Sequence, residues 1–335
     1  LWDNQRVATL DPFSDEQARA LVNLEQRYEV WMDAERVLGQ LPYDLRRKEV
    51  GGRAYLYEIT GRDGNGKSLG PWSPEAEARF DAFRQTKADA KARRDGSRAA
   101  MEESGRLCRA LRLPMLASAA GPILREADRR RLLGQRLLVV GTNAMAAYAV
   151  EAGGFVREAP DETDDFDLAW SAPDPDPDGQ TVWRMLKAVD PTFAVNMERT
   201  FQARNAKAYE VELLVAPSRA GTLDRLDRPK PVPLPEQEWL LNGRSVDRVV
   251  ICRDATAARI VAPDPRWYAL QKLWLADQPK RNALKRPKDR KQGVALLDVV
   301  RAAMPQFPLD RAFEAALPAE LSSHYDDWKT RRLED

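Results

Sequence analysis

The chain has 335 residues, 43% hydrophobic and 31% charged, which suits a globular protein with two or three cores. With 53 basic and 52 acidic residues the net charge is +1, so no global field draws in nucleic acid and any basic surface has to be local. Two cysteines are too few for a disulfide framework and point to a reducing cytoplasm, the single His324 excludes a multi-histidine metal site, and no apolar run approaches the roughly 20 residues of a membrane span.

Residues 1–113 read as a mostly helical accessory unit. Ser14 and Gln17 have the spacing of a capping box, and Leu21, Leu24, Tyr28, Trp31 and Met32 follow on one helical face to about Leu38. Alternation over residues 51–60 predicts a strand that ends in a glycine loop. That loop, Gly61 to Ser68, satisfies the G-x-x-x-x-G-K-[ST] pattern, whose mechanism needs a helix opening near the lysine. Leu69-Gly70-Pro71-Trp72-Ser73-Pro74 follows instead and is poorly suited to that helix. A hairpin loop, or a loop that touches phosphate or RNA through Arg62 and Lys67, is the better expectation. A long charged helix is predicted from Pro74 to about Leu111, with a break near Gly96, and Arg112-Leu113-Pro114 ends it.

Residues 114–262 carry the chemistry. A helix is expected over 122–133, with Arg129 to Arg131 as its solvated end. The apolar run Leu137 to Val140 predicts a strand, and Gly141-Thr142-Asn143 a turn that opens a short helix closed by Gly153-Gly154. Such a turn at a helix N-terminus is where a phosphate would sit. The next strand, Thr163 to Leu168, places Asp165 and Asp167 on one face and Phe166 and Leu168 on the other, with Asp164 opposite to Asp165. Two same-face carboxylates beside a third can hold magnesium, a hard cation that takes oxygen ligands and is usually completed by substrate phosphate. Pro173 to Gly179 reads as an acidic surface loop, Thr181 to Val189 as a helix, and Tyr209 to Val215 as a strand. On that strand Glu210 and Glu212 share a face, and alternation does not decide between them. A proline-rich connector over 219–235 and strands at 246–252 and 257–261 complete the core.

Residues 263–335 are expected to be helical, with helices at Pro265–Asp277 and from about Val294 to Met304. Between them Lys280 to Lys291 holds seven basic residues and one Asp, a local charge of +6. The run lacks the interleaved aromatics of a single-strand stacking platform.

The order of strand, Gly141-Thr142 turn, Asp165-x-Asp167 strand and a later Glu212 strand resembles the DNA polymerase β-like nucleotidyltransferase superfamily. Leu111 to Pro114, Val140 to Tyr148, Ala262 to Arg266, Ala269 to Trp274 and Lys288-Asp289 are similar to a bacterial nucleotidyltransferase-fold family, distantly similar to the AbiEii-type toxins. The resemblance implies an α/β (α+β) fold: a small mixed sheet flanked by helical N- and C-terminal units. It implies two-metal transfer of a nucleoside monophosphate from an NTP, with Mg2+ (or Mn2+) on Asp165, Asp167 and Glu212. The superfamily usually has Asp at the third position, and its pattern, a carboxylate just before two apolar residues, favours Glu212 over Glu210. Gly141, Thr142 and Asn143 would hold the leaving phosphates. Lys272 and Lys288 would reach the β- and γ-phosphates, because in the similar family the C-terminal unit lies across the cleft from the Asp pair. Lys285, Arg286, Arg290 and Lys291, with Arg62 and Lys67, are the expected contacts to an RNA acceptor such as tRNA. The rival readings are a non-catalytic nucleotide- or RNA-binding protein on this scaffold and a toxin-like transfer to protein.

Overall fold

A computed structural model describes residues 10–157, 165–176, 179–222 and 228–334. The chain divides into two compact units, Gln26–Ser104 and Leu1–Glu25 with Gly105–Asp335. The boundaries fall inside helices rather than near Pro114, and the helices after residue 262 belong to the larger unit, packed on the same core as the central sheet.

The chain opens with β1 (Leu10–Pro12) and α1 (Asp15–Gln40). The capping box forms in both directions: the Ser14 amide donates to Gln17 Oε1 at 2.9 Å, and the Gln17 amide donates to Ser14 Oγ at 3.2 Å. An antiparallel sheet follows, β2 (Asp44–Val50), β3 (Arg53–Ile59) and β4 (Gly66–Pro71), and then α2 (Pro74–Ala110). Gly66, Lys67 and Ser68 lie in β4, not at a helix start, so the P-loop pattern is a β3–β4 hairpin. Gly66 is a glycine for packing reasons, since a Cβ there would stand 2.1 Å from the Glu58 carbonyl oxygen. α2 runs through Gly96 without the expected break, and no atom stands within 4 Å of where a Cβ there would lie.

In the larger unit come β5 (Met115–Leu116), α3 (Ala120–Arg129), β6 (Leu137–Val140), α4 (Met145–Ala152), β7 (Gly154–Val156), β8 (Asp165–Trp170) and α5 (Thr181–Val189). α3 ends four residues before expectation. Arg131 takes φ 57°, and the Arg131 and Leu132 amides bond back to Asp128 and Ala127, a Schellman closure. Arg129 and Arg130 are half-buried against Glu126, at 2.6 and 2.7 Å, rather than solvated. Then follow β9 (Ala194–Val195), β10 (Gln202–Arg204), β11 (Glu210–Val215), α6 (Pro217–Ala220), β12 (Val232–Pro233), β13 (Val246–Cys252) and β14 (Ala257–Ala262). Four helices end the chain: α7 (Pro265–Asp277), α8 (Arg286–Ala303), α9 (Arg311–Ala316) and α10 (Ala319–Glu334).

The central sheet has the order β6-β8-β11-β10-β9, with β12 beside β11; β8 and β11 are parallel and β6 is antiparallel to β8. Thr163 and Asp164, expected at the head of β8, lie outside the described residues, as do Asp161 and Glu162. So do Pro177 and Asp178 of the acidic loop and residues 223–227 of the connector. Asp176 of that loop accepts from the Thr181 amide and hydroxyl and so starts α5. α8 crosses α7 at backbone distance, which Gly293 allows: a Cβ there would meet Leu273 Cγ at 2.7 Å and the Ala269 carbonyl at 2.8 Å. Among the described residues no helix is long and apolar enough to cross a membrane.

Candidate active site

Strand alternation puts Phe166, Leu168, Val211 and Leu213 in the core, so Asp165, Asp167, Glu210 and Glu212 share the opposite face. The parallel register sets Asp165 opposite Glu210 and Asp167 opposite Glu212, with Val140 on the other side of Asp167. Four carboxylates on two adjacent strands repel one another unless cations answer them.

Glu210 is answered by its own sheet. Arg204, opposite it on β10, forms an ion pair with it, and Gln202 Nε2 donates to its Oε2 at 2.7 Å. Among the described residues Glu212 receives a single side-chain bond, at 3.2 Å from the same Gln202 amide. Burial first, then the charges of Asp167 and Asp165, push the Glu212 carboxyl up to about 7, against a partial pull from Lys285. The structure therefore separates the two glutamates that alternation left equivalent. Glu212 faces the Asp pair, whereas Glu210 is held by Arg204.

Asp167 is raised by burial and by Asp165, and drawn down by Lys272, Lys285 and Arg281. Its carboxylate lies against Gly141, whose backbone sits at φ 65°, ψ −165°, a region open only to glycine. A Cβ at Gly141 would stand 2.0 Å from Asp167 Oδ2. The carbonyl of Gly141 accepts a 2.5 Å bond from the Tyr268 hydroxyl on α7. The turn is thus shaped by the carboxylate it faces.

The Thr142 and Asn143 side chains point inward. The Asn143 amide donates to the Asp165 carbonyl at 2.9 Å and fixes the start of β8, and the buried Thr142 hydroxyl accepts from Gln292 of α8 at 3.4 Å. Neither side chain is presented as a phosphate ligand. Lys272 is buried too, bonded at 3.0 Å to Asp289, whose other oxygen takes Arg281 at 2.7 Å. Burial lowers the Lys272 ammonium against the pull of Asp289. Burial alone would raise Asp289, but Lys272 and Arg281 together hold it below the usual carboxylate range. Lys272 thus sets a fixed positive potential beside Asp167 and is not exposed to reach a phosphate. Lys288, half-buried, precedes Asp289 on α8.

Only part of the basic run is available to a polyanion. Lys285 reaches Asp165 Oδ2 at 3.1 Å and so joins the cluster. Arg286 donates to the carbonyls of Arg281 and Pro279, and Arg290 pairs with Asp277, so both brace the α7–α8 turn. Lys291 is exposed. Arg62 and Lys67 lie on the hairpin of the smaller unit, Lys67 at 3.6 Å from Glu58 across it. The residues missed from sequence are Arg281, Asp289, Gln202 and Tyr268. Asp289 had two signals, as the sole acid in a basic run and as part of the Lys288-Asp289 segment that carries the resemblance, but no site role was given to it. The others become visible only through contacts distant in sequence. The Ala262–Arg266 segment has a structural use, since Asp264 caps α7 and takes the Arg266 guanidinium at 2.8 Å.

Among the described residues, no three acidic, cysteine or histidine side chains are already closed around a metal-sized point. The cluster is an open face of carboxylates flanked by Lys285 and Lys272.

An α/β core with paired aspartates on one strand, a glutamate on the parallel neighbour and a glycine turn beside them defines the nucleotidyltransferase class. A nucleotidyltransferase family model matches residues 118–318, more than half of the chain, and the chain belongs to that family. No curated protein and no solved structure matches it.

One consequence of the Glu212 environment is measurable without substrate. Because its folded-state carboxyl titrates above the unfolded value, the folded state binds the extra proton, and stability falls as pH rises from the unfolded value through about 7. Glu212→Gln removes the penalty. In chelator-treated protein its melting temperature should exceed wild type at about pH 8 and converge with it near pH 4.5. A gap that does not change with pH would mean that Glu212 is not the strained carboxylate.

Proposed function

We propose that the protein transfers a nucleoside monophosphate from an NTP to an acceptor oxygen, with magnesium, or manganese in its place, held by Asp165 and Asp167. The donor set supports this. It is all oxygen, and the raised carboxyls of Asp167 and Glu212 mark a face short of positive charge. An open arrangement is what magnesium uses, since it is bound through one or two carboxylates and completed by substrate phosphates and water. When bound, the ion would neutralise the triphosphate and polarise its α-phosphate.

This chain's own residues supply the rest. Glu212, on the strand beside Asp167, completes the set on the nucleophile's side and is where the acceptor's proton goes. The acceptor oxygen then bonds to the α-phosphorus, and the bond to the β-phosphate breaks with departure of pyrophosphate. Gly141 lets the Asp167 carboxylate lie flush against the turn, and the backbone amides of Thr142 and Asn143 are offered to the leaving phosphates. Lys285, exposed and paired with Asp165, is placed to exchange that carboxylate for a triphosphate oxygen, and Lys288 is the second cation on that side. Lys272 acts through Asp167. The two unpaired, buried cysteines suit a cytoplasmic setting.

The acceptor in this reading is RNA, such as tRNA. Arg286 and Arg290 are needed by the protein's own turn and Lys285 is given to the triphosphate, so Lys291 and the hairpin residues Arg62 and Lys67 are the expected RNA contacts that stand. The observation that carries the reading is the meeting of Asp165, Asp167 and Glu212 on adjacent strands beside the Gly141 turn. Each of the four α-labelled NTPs, incubated with the protein, magnesium and total RNA, tests it. Label should enter RNA only with magnesium present; label in protein alone, or in nothing, would overturn the RNA acceptor or the transfer respectively.

A further inference from the structure

The smaller unit carries a charged groove that the nucleotidyl-transfer site does not use. It encloses about 930 Å³ between the end of α1, the start of β2 and one face of α2. Arg84, Lys87 and Lys91 line it from α2, at the i, i+3 and i+7 spacing that stacks side chains on one helical face. Arg46 adds a fourth cation from β2, and Asp44, 2.9 Å from Arg46, is the one acid in the lining. Four cations and one acid give the groove +3. The whole unit, Gln26–Ser104, holds 15 basic and 14 acidic residues and nets only +1. Charge has been sorted onto this face.

The sorting is not for internal pairing. Among the described residues Arg84, Lys87 and Lys91 have no carboxylate at ion-pair distance. Lys87 instead donates to the Tyr43 carbonyl and lies over the Phe83 and Tyr43 rings, at 5.1 and 5.7 Å. Arg84 lies 5.6 Å from the Phe80 ring centroid. Tyr43 stays 47% exposed at the groove's edge while Phe83 floors it. A cationic stripe that tracks a backbone, next to an exposed ring on which a base can stack, is how single-stranded nucleic acid is held without sequence preference. An acidic peptide would use the cations and leave the ring idle.

We propose that this groove binds a single-stranded stretch of RNA, as the docking surface for the acceptor. The proposal rests on the RNA-acceptor reading above, and its test separates the two. The probe is a fluorescent, short, mixed-sequence single-stranded RNA, titrated with the full chain and followed by anisotropy at two salt concentrations. Arg84→Glu with Lys91→Glu should weaken binding at least tenfold at low salt. It should also flatten the log–log salt dependence by about 1.4, roughly 0.7 for each lost phosphate contact. Arg79→Glu with Arg93→Glu makes the same charge change on exposed α2 residues that do not line the groove, and should stay within about twofold of wild type. Tyr43→Ala should weaken binding several-fold with the salt slope unchanged.

Equal weakening by the two reversal pairs would overturn the groove, and so would displacement by a polyglutamate peptide as effective as unlabelled RNA. A duplex of the same sequence that binds as tightly as the single strand would overturn the single-strand assignment. Label transfer to RNA that survives the Arg84/Lys91 reversal unchanged would sink the groove and leave the transferase reading intact. Groove-dependent RNA binding with no labelled product from any NTP would do the opposite.

Discussion

Asp167→Asn should abolish nucleotidyl transfer while leaving the protein at least as stable as wild type. The substitution keeps the shape of the side chain and removes the charge that would hold the ion. A loss of about 4 kcal/mol of transition-state stabilisation corresponds to about a 10³-fold slower reaction. Stability should move the other way. Burial and the neighbouring Asp165 raise the Asp167 carboxyl, so its ionised form is a cost to the fold in the absence of a cation. The neutral amide relieves that cost, a trade between stability and activity that is common where a site needs uncompensated charge. Single-turnover label transfer and thermal melting of the same preparation check both halves. Near-normal transfer would show that the reaction centre lies elsewhere. Lost transfer together with a collapsed melting temperature would show that Asp167 is structural.

Gly141→Ala should damage both properties. Its backbone lies at φ 65°, ψ −165°, and the added methyl would stand 2.0 Å from Asp167 Oδ2 and 2.9 Å from its Cγ. The strained backbone and the overpacking should together cost about 2–4 kcal/mol. Relief by a shift of the turn would move the carbonyl that Tyr268 grips at 2.5 Å, and relief by rotation of Asp167 would turn its carboxylate out of the cluster. The first escape displaces the turn from the carboxylates and the second separates the two aspartates, so transfer should fall by about 10²-fold or more even under conditions that keep the protein folded. Denaturant unfolding and label transfer measure this. A variant with wild-type stability and rate would mean that the turn does not pack against the carboxylate. The contrast between the two substitutions is informative in itself, since one removes a charge from an intact turn and the other removes the turn from an intact charge.

Periodicity over a few residues was enough to expose the strand–turn–helix at 137–150, the same-face aspartates of β8, the capping box of α1 and the bounds of α5, β13 and α7. Those features depend on neighbours in the chain: alternation on a strand, 3.6 residues per turn, an oxygen three residues before an amide. The P-loop lookalike at 61–68 shows where such reading stops. Its residues match the pattern, but the helix the pattern needs is a strand, and Gly66 serves the close approach of Glu58.

What only the tertiary structure decided is which charges answer one another. Glu210 and Glu212 are equivalent by alternation and differ because Arg204 stands opposite the first on β10 and nothing basic stands opposite the second. Lys285 meets Asp165 across 120 residues of chain, Lys272 is buried against Asp289, and Arg286 and Arg290, read as nucleic-acid contacts, brace a turn. A local window shows how much charge a segment has. Where that charge goes depends on helices and strands far apart in sequence, because burial makes each ion seek the nearest partner in space.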